Sequence, residues 1–333
     1  MLKNLLKKIY ISKYIVPIIN ILGRPWRGKG AILMYHRVIP DNQIKKELDS
    51  GLAVSCSSFE NQMKALKETY KICSIDDFIY GLENNSQDFK VVVTFDDGYK
   101  DNLNYALPIL EKLKIPASIY ITTRFLNNNV DMWWYELHYF IQNSSKINFN
   151  YNDKNFNFVL KNKKDKAKAY NKLKKLFLNL KIKEQKILIE KITNSKSREN
   201  YSSICLNEEE VKKLDKHPLI TIGSHGHNHL NLKILSDDEI KKEVNQSLEI
   251  LKNVLGHEIE HYCYPYGKKE QASEREYNIV KTLSLKSATT GIIKPIQNKN
   301  FYSLPRIYVG ESTCAKTLIN NLTGFYNLSK KFF

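Results

Sequence analysis

Three short apolar runs in this 333-residue chain each stop at residues that carry chemistry. Ala31-Ile32-Leu33-Met34-Tyr35 runs into His36, and Val91-Val92-Val93-Thr94-Phe95 runs into Asp96-Asp97-Gly98. Leu219-Ile220-Thr221-Ile222-Gly223 runs into Ser224-His225-Gly226-His227-Asn228-His229. Runs this short and apolar predict buried strands. The spacing predicts helices over 57–70, with Phe59, Met63 and Leu66 on one face, and over 101–114, where Pro108 is a blemish. A strand over 117–121 follows, and strand, helix, strand at this spacing predicts parallel βαβ units. The expected class is α/β, with the three motifs on one rim at strand C-terminal ends.

The two later motifs together predict a divalent-metal site. One carboxylate and two imidazoles four residues apart leave a coordination position open, which is the catalytic rather than the structural pattern. Adjacent strand residues point to opposite sides, but a turn at Gly98 brings both carboxylates to one cleft. With Asp97, His225 and His229 as ligands, Asp96 is left to act as a base. His227 faces away from the side its two neighbours share. His36 ends its strand on the same rim, and an imidazole suits protonation of a leaving amine, although a lone strand-end histidine also serves structure. His138, His217, His257 and His261 fall in helical or loop contexts and are not read as ligands. Tyr262-Cys263-Tyr264-Pro265-Tyr266-Gly267 is a third turn-ended run, whose backbone N–H suits a developing oxyanion. Trp133, Trp134, Tyr264 and Tyr266 are shaped either to stack on a sugar ring or to fill a core.

Charge divides the chain. Of a net +17, residues 1–30 carry +7 with no acid, and residues 126–200 carry +9, so the remainder is nearly neutral. The reading is a basic N-terminal segment, 1–30, and a barrel, 31–333, interrupted by a Lys-rich helical insertion, 126–200. Leu2, Leu5, Leu6, Ile9 and Tyr10 alternate with Lys3, Lys7 and Lys8 like an interfacial amphipathic helix. In the insertion the Lys/Asn-rich composition reads equally as solvated faces. Two helices are expected there, over about 162–180 and 183–193. Helix 237–255 is read from the Ser236/Glu239 capping box and its stop at Gly256. Further strands are expected near 262–264, 286–289 and 305–309.

The apolar run after Tyr14 is short, broken by Pro17 and Asn20, and lacks a cleavage site, so no signal peptide is expected. No run of about eighteen apolar residues predicts a membrane span. Cys56, Cys73, Cys205, Cys263 and Cys314 are scattered and odd in number, which suits a reducing compartment. The expected location is cytoplasmic and peripheral at the inner membrane face. Nucleic acid is not an expected partner, since the basic excess carries no recognition motif.

These motifs resemble the polysaccharide deacetylase family, the NodB homology domain of carbohydrate esterase family 4. Thr94–Gly98 resembles its TFDDG motif, His225–His229 its H-x3-H motif, and Tyr264-Pro265-Tyr266-Gly267 its third motif. Met34-Tyr35-His36 and Leu304-Pro305-Arg306 resemble segments of the permuted, exopolysaccharide-deacetylase-like branch. The resemblance covers about 31–125 and 201–310. It implies a distorted (β/α)7 barrel with the helical insertion outside the core motifs. It implies Asp97, His225 and His229 as metal ligands, with zinc usual and cobalt, nickel or iron able to substitute. It also implies Asp96 as general base, His36 as general acid and the Tyr266 N–H in the oxyanion hole. The arginine that begins the third motif in many members is Cys263 here, so Arg306 is expected to pair with Asp96 instead. The implied reaction removes N-acetyl groups from an amino sugar of a surface glycan or lipid-linked precursor. Rivals are another amide or an O-acetyl ester at the same site, and a catalytically silent glycan- or membrane-binding module.

Overall fold

The computed structural model describes residues 28–45, 51–127, 130–194, 199–297 and 300–323. The expected basic amphipathic segment lies outside them, apart from residues 28–30.

Seven parallel strands form the frame: β1 (Gly30–Tyr35), β5 (Lys90–Phe95), β6 (Ala117–Ile121), β9 (Ile220–Ser224), β10 (His261–Cys263), β11 (Ser287–Thr289) and β12 (Ile307–Tyr308). Their spatial order β11-β10-β9-β6-β5-β1-β12 follows the chain once β12 closes on β1. Leu304 supplies the last link, bridging Thr289 while β12 pairs with β1. The result is a distorted (β/α)7 barrel, as expected from the motifs. Helices cover the strands outside, so β5 and β6 are buried almost end to end. That explains runs such as Val91-Val92-Val93 rather than alternating polarity. Smaller strands flank the ring. β4 (Lys71–Ile72) pairs in parallel with the start of β5, and β2 (Arg37–Ile39) pairs in parallel with β3 (Ala53–Ser55).

The helix over 57–70 forms as Cys56–Thr69, with Phe59, Met63 and Leu66 buried. The helix over 237–255 runs Asp237–Leu255, with the Ser236/Glu239 capping box and a left-handed Gly256 (φ 83°) ending it. The helix over 101–114 is different. Asn102–Ala106 is a π turn, and the α-helix is only Leu107–Leu113, with Pro108 in its first turn. Proline has no N–H to donate and its ring crowds the carbonyl four residues back, so a regular helix cannot run through it.

The insertion is not purely helical. Between helices Trp133–Asn143 and Lys163–Phe177 stands an antiparallel hairpin, β7 (Lys146–Tyr151) and β8 (Lys154–Val159). Ile147, Phe149 and Tyr151 alternate inward, and Asn152 and Asp153 both take positive φ in the two-residue turn, as tight hairpins require. A last helix, Ile182–Thr193, completes the segment. The whole packs around an apolar cluster shared with Tyr99, Phe125 and Cys205 of the barrel, in which Trp133 stacks on Phe177 at 4.5 Å.

Candidate active site

Strand register decides which residues meet. Tyr35 of β1 stands opposite Phe95 of β5, so His36 and Asp96 leave the sheet side by side. The Asp96 N–H donates to the Tyr35 carbonyl at 3.0 Å, and His36 Nε2 lies 4.0 Å from Asp96 Oδ2. Ile121 of β6 pairs with Ser224 of β9, and Tyr262 of β10 pairs with the same Ser224. His225 therefore emerges between β6 and β10. Arg306 enters from the other side, one residue before β12.

Three non-glycine residues at this rim have left-handed backbone: Asp97 (φ 75°), His229 (φ 54°) and Tyr266 (φ 61°). Each such position costs on the order of 1–3 kcal/mol in a non-glycine residue and persists only where the surroundings enforce it. At Asp97 the turn answers the alternation problem, because two successive carboxylates are wanted in one cleft. After Tyr266, Gly267 (φ 64°) is obligatory: a Cβ there would sit 2.2 Å from the Gly291 nitrogen.

Asp97, His225 and His229 converge, with ligand atoms within 4.8 Å of one another. All three are buried. His225 Nδ1 lies 2.8 Å from the Cys263 carbonyl, an acceptor, so Nδ1 carries a proton and Nε2 faces inward; metal-binding histidines are commonly held this way. Asp97 Oδ1 lies 3.4 Å from His225 Nε2 and 3.2 Å from His229 Nε2. It makes no hydrogen bond among the described residues. Burial raises the Asp97 pKa, yet the neighbouring imidazoles hold it well below the carboxylate range. Burial opposes charge on His225, but Cys263, Asp96 and Asp97 hold its pKa well above the ordinary value. A buried, bare carboxylate oxygen facing two imidazole nitrogens fits a divalent cation.

Two other groups among the described residues have the composition of a metal site and not the electrostatics. Asp96, His225 and Cys263 also cluster, but the Arg306 guanidinium already lies against both Asp96 and Cys263. Asp76, Glu260 and His261 lie at the opposite end of β10, where Lys286 pairs with Glu260 at 2.5 Å.

Arg306 grips Asp96 with both ends of its fork, Nη1 to Oδ1 and Nη2 to Oδ2, each at 2.6 Å. Its remaining donors reach Thr94 Oγ1 at 3.0 Å, the Thr290 carbonyl at 3.0 Å and Cys263 Sγ at 2.9 Å. Burial raises the Asp96 pKa, but the Arg306 charge outweighs it and the carboxyl stays below its usual range. The pairing expected from the cysteine at 263 is thus present. The Tyr266 backbone N–H donates to no group among the described residues. Its ring lies 4.5 Å from that of His229.

The seven residues given catalytic or metal roles from the sequence, His36, Asp96, Asp97, His225, His229, Tyr266 and Arg306, meet at this rim. His227 is held aside, its Nδ1 2.9 Å from Thr123 Oγ1. Tyr264 is fully buried and donates to the Tyr302 carbonyl, so it is core and not a sugar platform.

Several supports went unread in the sequence. Buried Arg37 pairs with Asp101 at 2.7 Å, and Asp101 also accepts from the Val38 N–H. Asn102 donates to the His36 carbonyl at 2.8 Å. Together they fix the chain at His36 and just after it. Glu243 accepts from the Asn228 backbone and side chain, pinning the histidine loop. Burial pushes its carboxyl up while those bonds pull it back. A carboxylate on the apolar face of an amphipathic helix, between Ile240 and Val244, was the available signal.

A family model described as polysaccharide deacetylase matches residues 83–286. No curated protein sequence matches the chain. Among solved structures, the Streptococcus pyogenes deacetylase PplD in complex with acetate aligns at TM-score 0.59 and 19% identity, over 88% of this chain and 98% of its own. IcaB from Ammonifex degensii aligns at TM-score 0.58 and 16% identity, over 89% and 98%. A de-N-acetylase from Aggregatibacter actinomycetemcomitans gives 0.56 and 15%, over 87% and 98%. At these identities the likeness carries the fold.

Proposed function

The chain belongs to the polysaccharide deacetylase family, and from that premise we propose that it is a metal-dependent hydrolase removing N-acetyl groups from an amino sugar of a surface glycan or lipid-linked precursor. The observation that carries this reading is the division of labour between adjacent carboxylates. Asp97 turns a bare oxygen to two imidazoles, while Asp96 is bound by Arg306 and stands outside that trio.

Asp97, His225 and His229 would hold a divalent metal, zinc by family habit, which would supply a Lewis acid for the acetyl carbonyl. Asp96, kept ionised by Arg306, takes the proton of the attacking water. The Tyr266 N–H donates to the oxygen that gains charge as the carbonyl carbon becomes tetrahedral. His36, with Nε2 4.0 Å from the base, gives a proton to the departing amine, leaving acetate and a free amino sugar. Arg306 is a positioning residue, acting through Asp96. The basic residues within 1–30 suit a peripheral place at an anionic membrane surface, where lipid-linked sugars are found.

The test is acetate release from free and lipid-linked N-acetylamino sugars, with metal content measured and Asp96→Asn as control. The expected result is metal-dependent release that Asp96→Asn removes while keeping its metal. Full metal occupancy without acetate release across the panel would sink the reading. Release of acetate from O-acetyl esters alone would replace it with the esterase reading.

A further inference from the structure

A pocket opens beside His229 where the insertion meets the barrel, lined among others by Arg124, Asp131, Trp134, Gln185 and Lys186. Arg124 belongs to the barrel. It lies in the turn Thr123–Leu126 after β6, and its backbone N–H donates to the His227 carbonyl at 3.0 Å. Lys186 belongs to the insertion, on helix Ile182–Thr193. Both cations reach one oxygen, Asp131 Oδ2, Arg124 Nη2 at 3.2 Å and Lys186 Nζ at 3.0 Å. A carboxylate oxygen thus already occupies the place where barrel and insertion each present a cation.

A second observation concerns Trp134. It is more than nine-tenths buried, and its indole N–H has no acceptor among the described residues. Buried donors nearly always have partners, and Trp134 lines the same pocket, its ring 5.4 Å from that of His229. Guanidinium, ammonium and indole N–H are all donors, and charge-assisted bonds to anionic oxygens are the strong ones.

We infer that this seam is a subsite for an anionic group of the substrate, a phosphate or a carboxylate on the sugar next to the acetamide, which takes the place of the Asp131 carboxylate between Arg124 and Lys186, with Trp134 beside them. The inference rests on the proposed deacetylase reading and adds to it a substrate class: a glycan carrying negative charge beside the amide that is cleaved. It also gives the insertion a role, since neither the barrel nor the insertion holds both cations.

The test separates the subsite from turnover. The metal-loaded full chain is titrated calorimetrically with N-acetylglucosamine, with its 1-phosphate, and with a disaccharide joining N-acetylglucosamine to glucuronate. The charged ligands are expected to bind about tenfold more tightly than the neutral one, the scale of one charge-assisted hydrogen bond. The Arg124→Gln/Lys186→Gln double variant collapses that difference, and Lys186→Arg retains it. Preference for only one charged ligand identifies phosphate or carboxylate as the source and supports the subsite. Equal affinity for all three ligands overturns the inference, as does a preference that survives in the double variant, which would assign it to the metal. Acetate release on matched oligosaccharides runs in parallel. Its complete absence sinks the deacetylase reading, while the titration still reads the subsite.

Discussion

The three-residue strand β10 carries a histidine–carboxylate cluster at each end, and the two are built differently. At its start His261 is fully partnered, with Nδ1 2.9 Å from Ser287 Oγ and Nε2 3.1 Å from Asp76 Oδ1. Lys286 supplies the nearby acids with a cation of the protein's own. At its end the Cys263 carbonyl orients His225, and beyond it the partnering stops. Asp97 Oδ1, His229 Nδ1 and His36 Nδ1 are buried without hydrogen bonds among the described residues. Three non-glycine backbones nearby are left-handed, against none in the cluster at the other end. Histidine beside acid is therefore not enough to mark a site. What distinguishes the proposed working end is polar groups left bare on a backbone forced into place, the usual sign of chemistry awaiting a ligand.

Mutation sharpens the contrast most at the working end. Asp97→Ala is expected to abolish both metal binding and acetate release, seen by elemental analysis alongside the assay. Asp96→Asn is expected to keep the metal and lower kcat by about 10²–10⁴-fold, the range of a lost general base; loss of metal in this variant would merge the roles assigned to the two carboxylates. Next comes Arg306→Gln, which leaves a buried carboxylate unpaired and is expected to destabilise the fold by about 3–5 kcal/mol in denaturant titration.

The same variant predicts a pH effect with a definite sign. Arg306 holds the Asp96 pKa below its usual value while burial alone would raise it. The pair's stabilisation is present above the ordinary carboxylate range and lost as pH falls through the depressed value. In Arg306→Gln the acidic limb of kcat/KM should therefore move to higher pH, and an unmoved limb would remove Asp96 as the group it reports. Smaller still, metal at about 100 times its Kd should stabilise the protein by about 2.7 kcal/mol, lost on chelation and read as a fall in Tm. The smallest effect is expected from His261→Gln: about 1–3 kcal/mol of stability from its stranded partners, with kcat/KM unchanged. If kcat/KM fell there as at Asp96, the contrast between the two ends would be broken.

Much of the working end was legible because it is local. Asp96, Asp97, His225 and His229 occupy turns immediately after apolar runs, and strand periodicity needs no partner to be read. Helix Asp237–Leu255 was equally plain, since cap, stripe and stop all lie within it. The hairpin of the insertion was not read, because its asparagines and lysines hide the inward row Ile147, Phe149 and Tyr151, although Asn152-Asp153 marked its turn. The break at Pro108 showed as an irregularity without revealing a π turn, whose geometry depends on what the helix packs against.

The sequence by itself determined the residue types, their order and the strand ends that present them, since these depend on chain neighbours and on hydrophobic pattern. Only the tertiary structure decided which nitrogen of His225 faces inward, that Arg306 closes on Asp96 with both hydrogen bonds, and that Arg37, Asp101 and Glu243 brace the rim. It alone brought Arg124 and Lys186 to one oxygen across the seam. Those arrangements depend on the register between strands distant in sequence and on packing that fixes rotamers, and neither is written in any single stretch of chain.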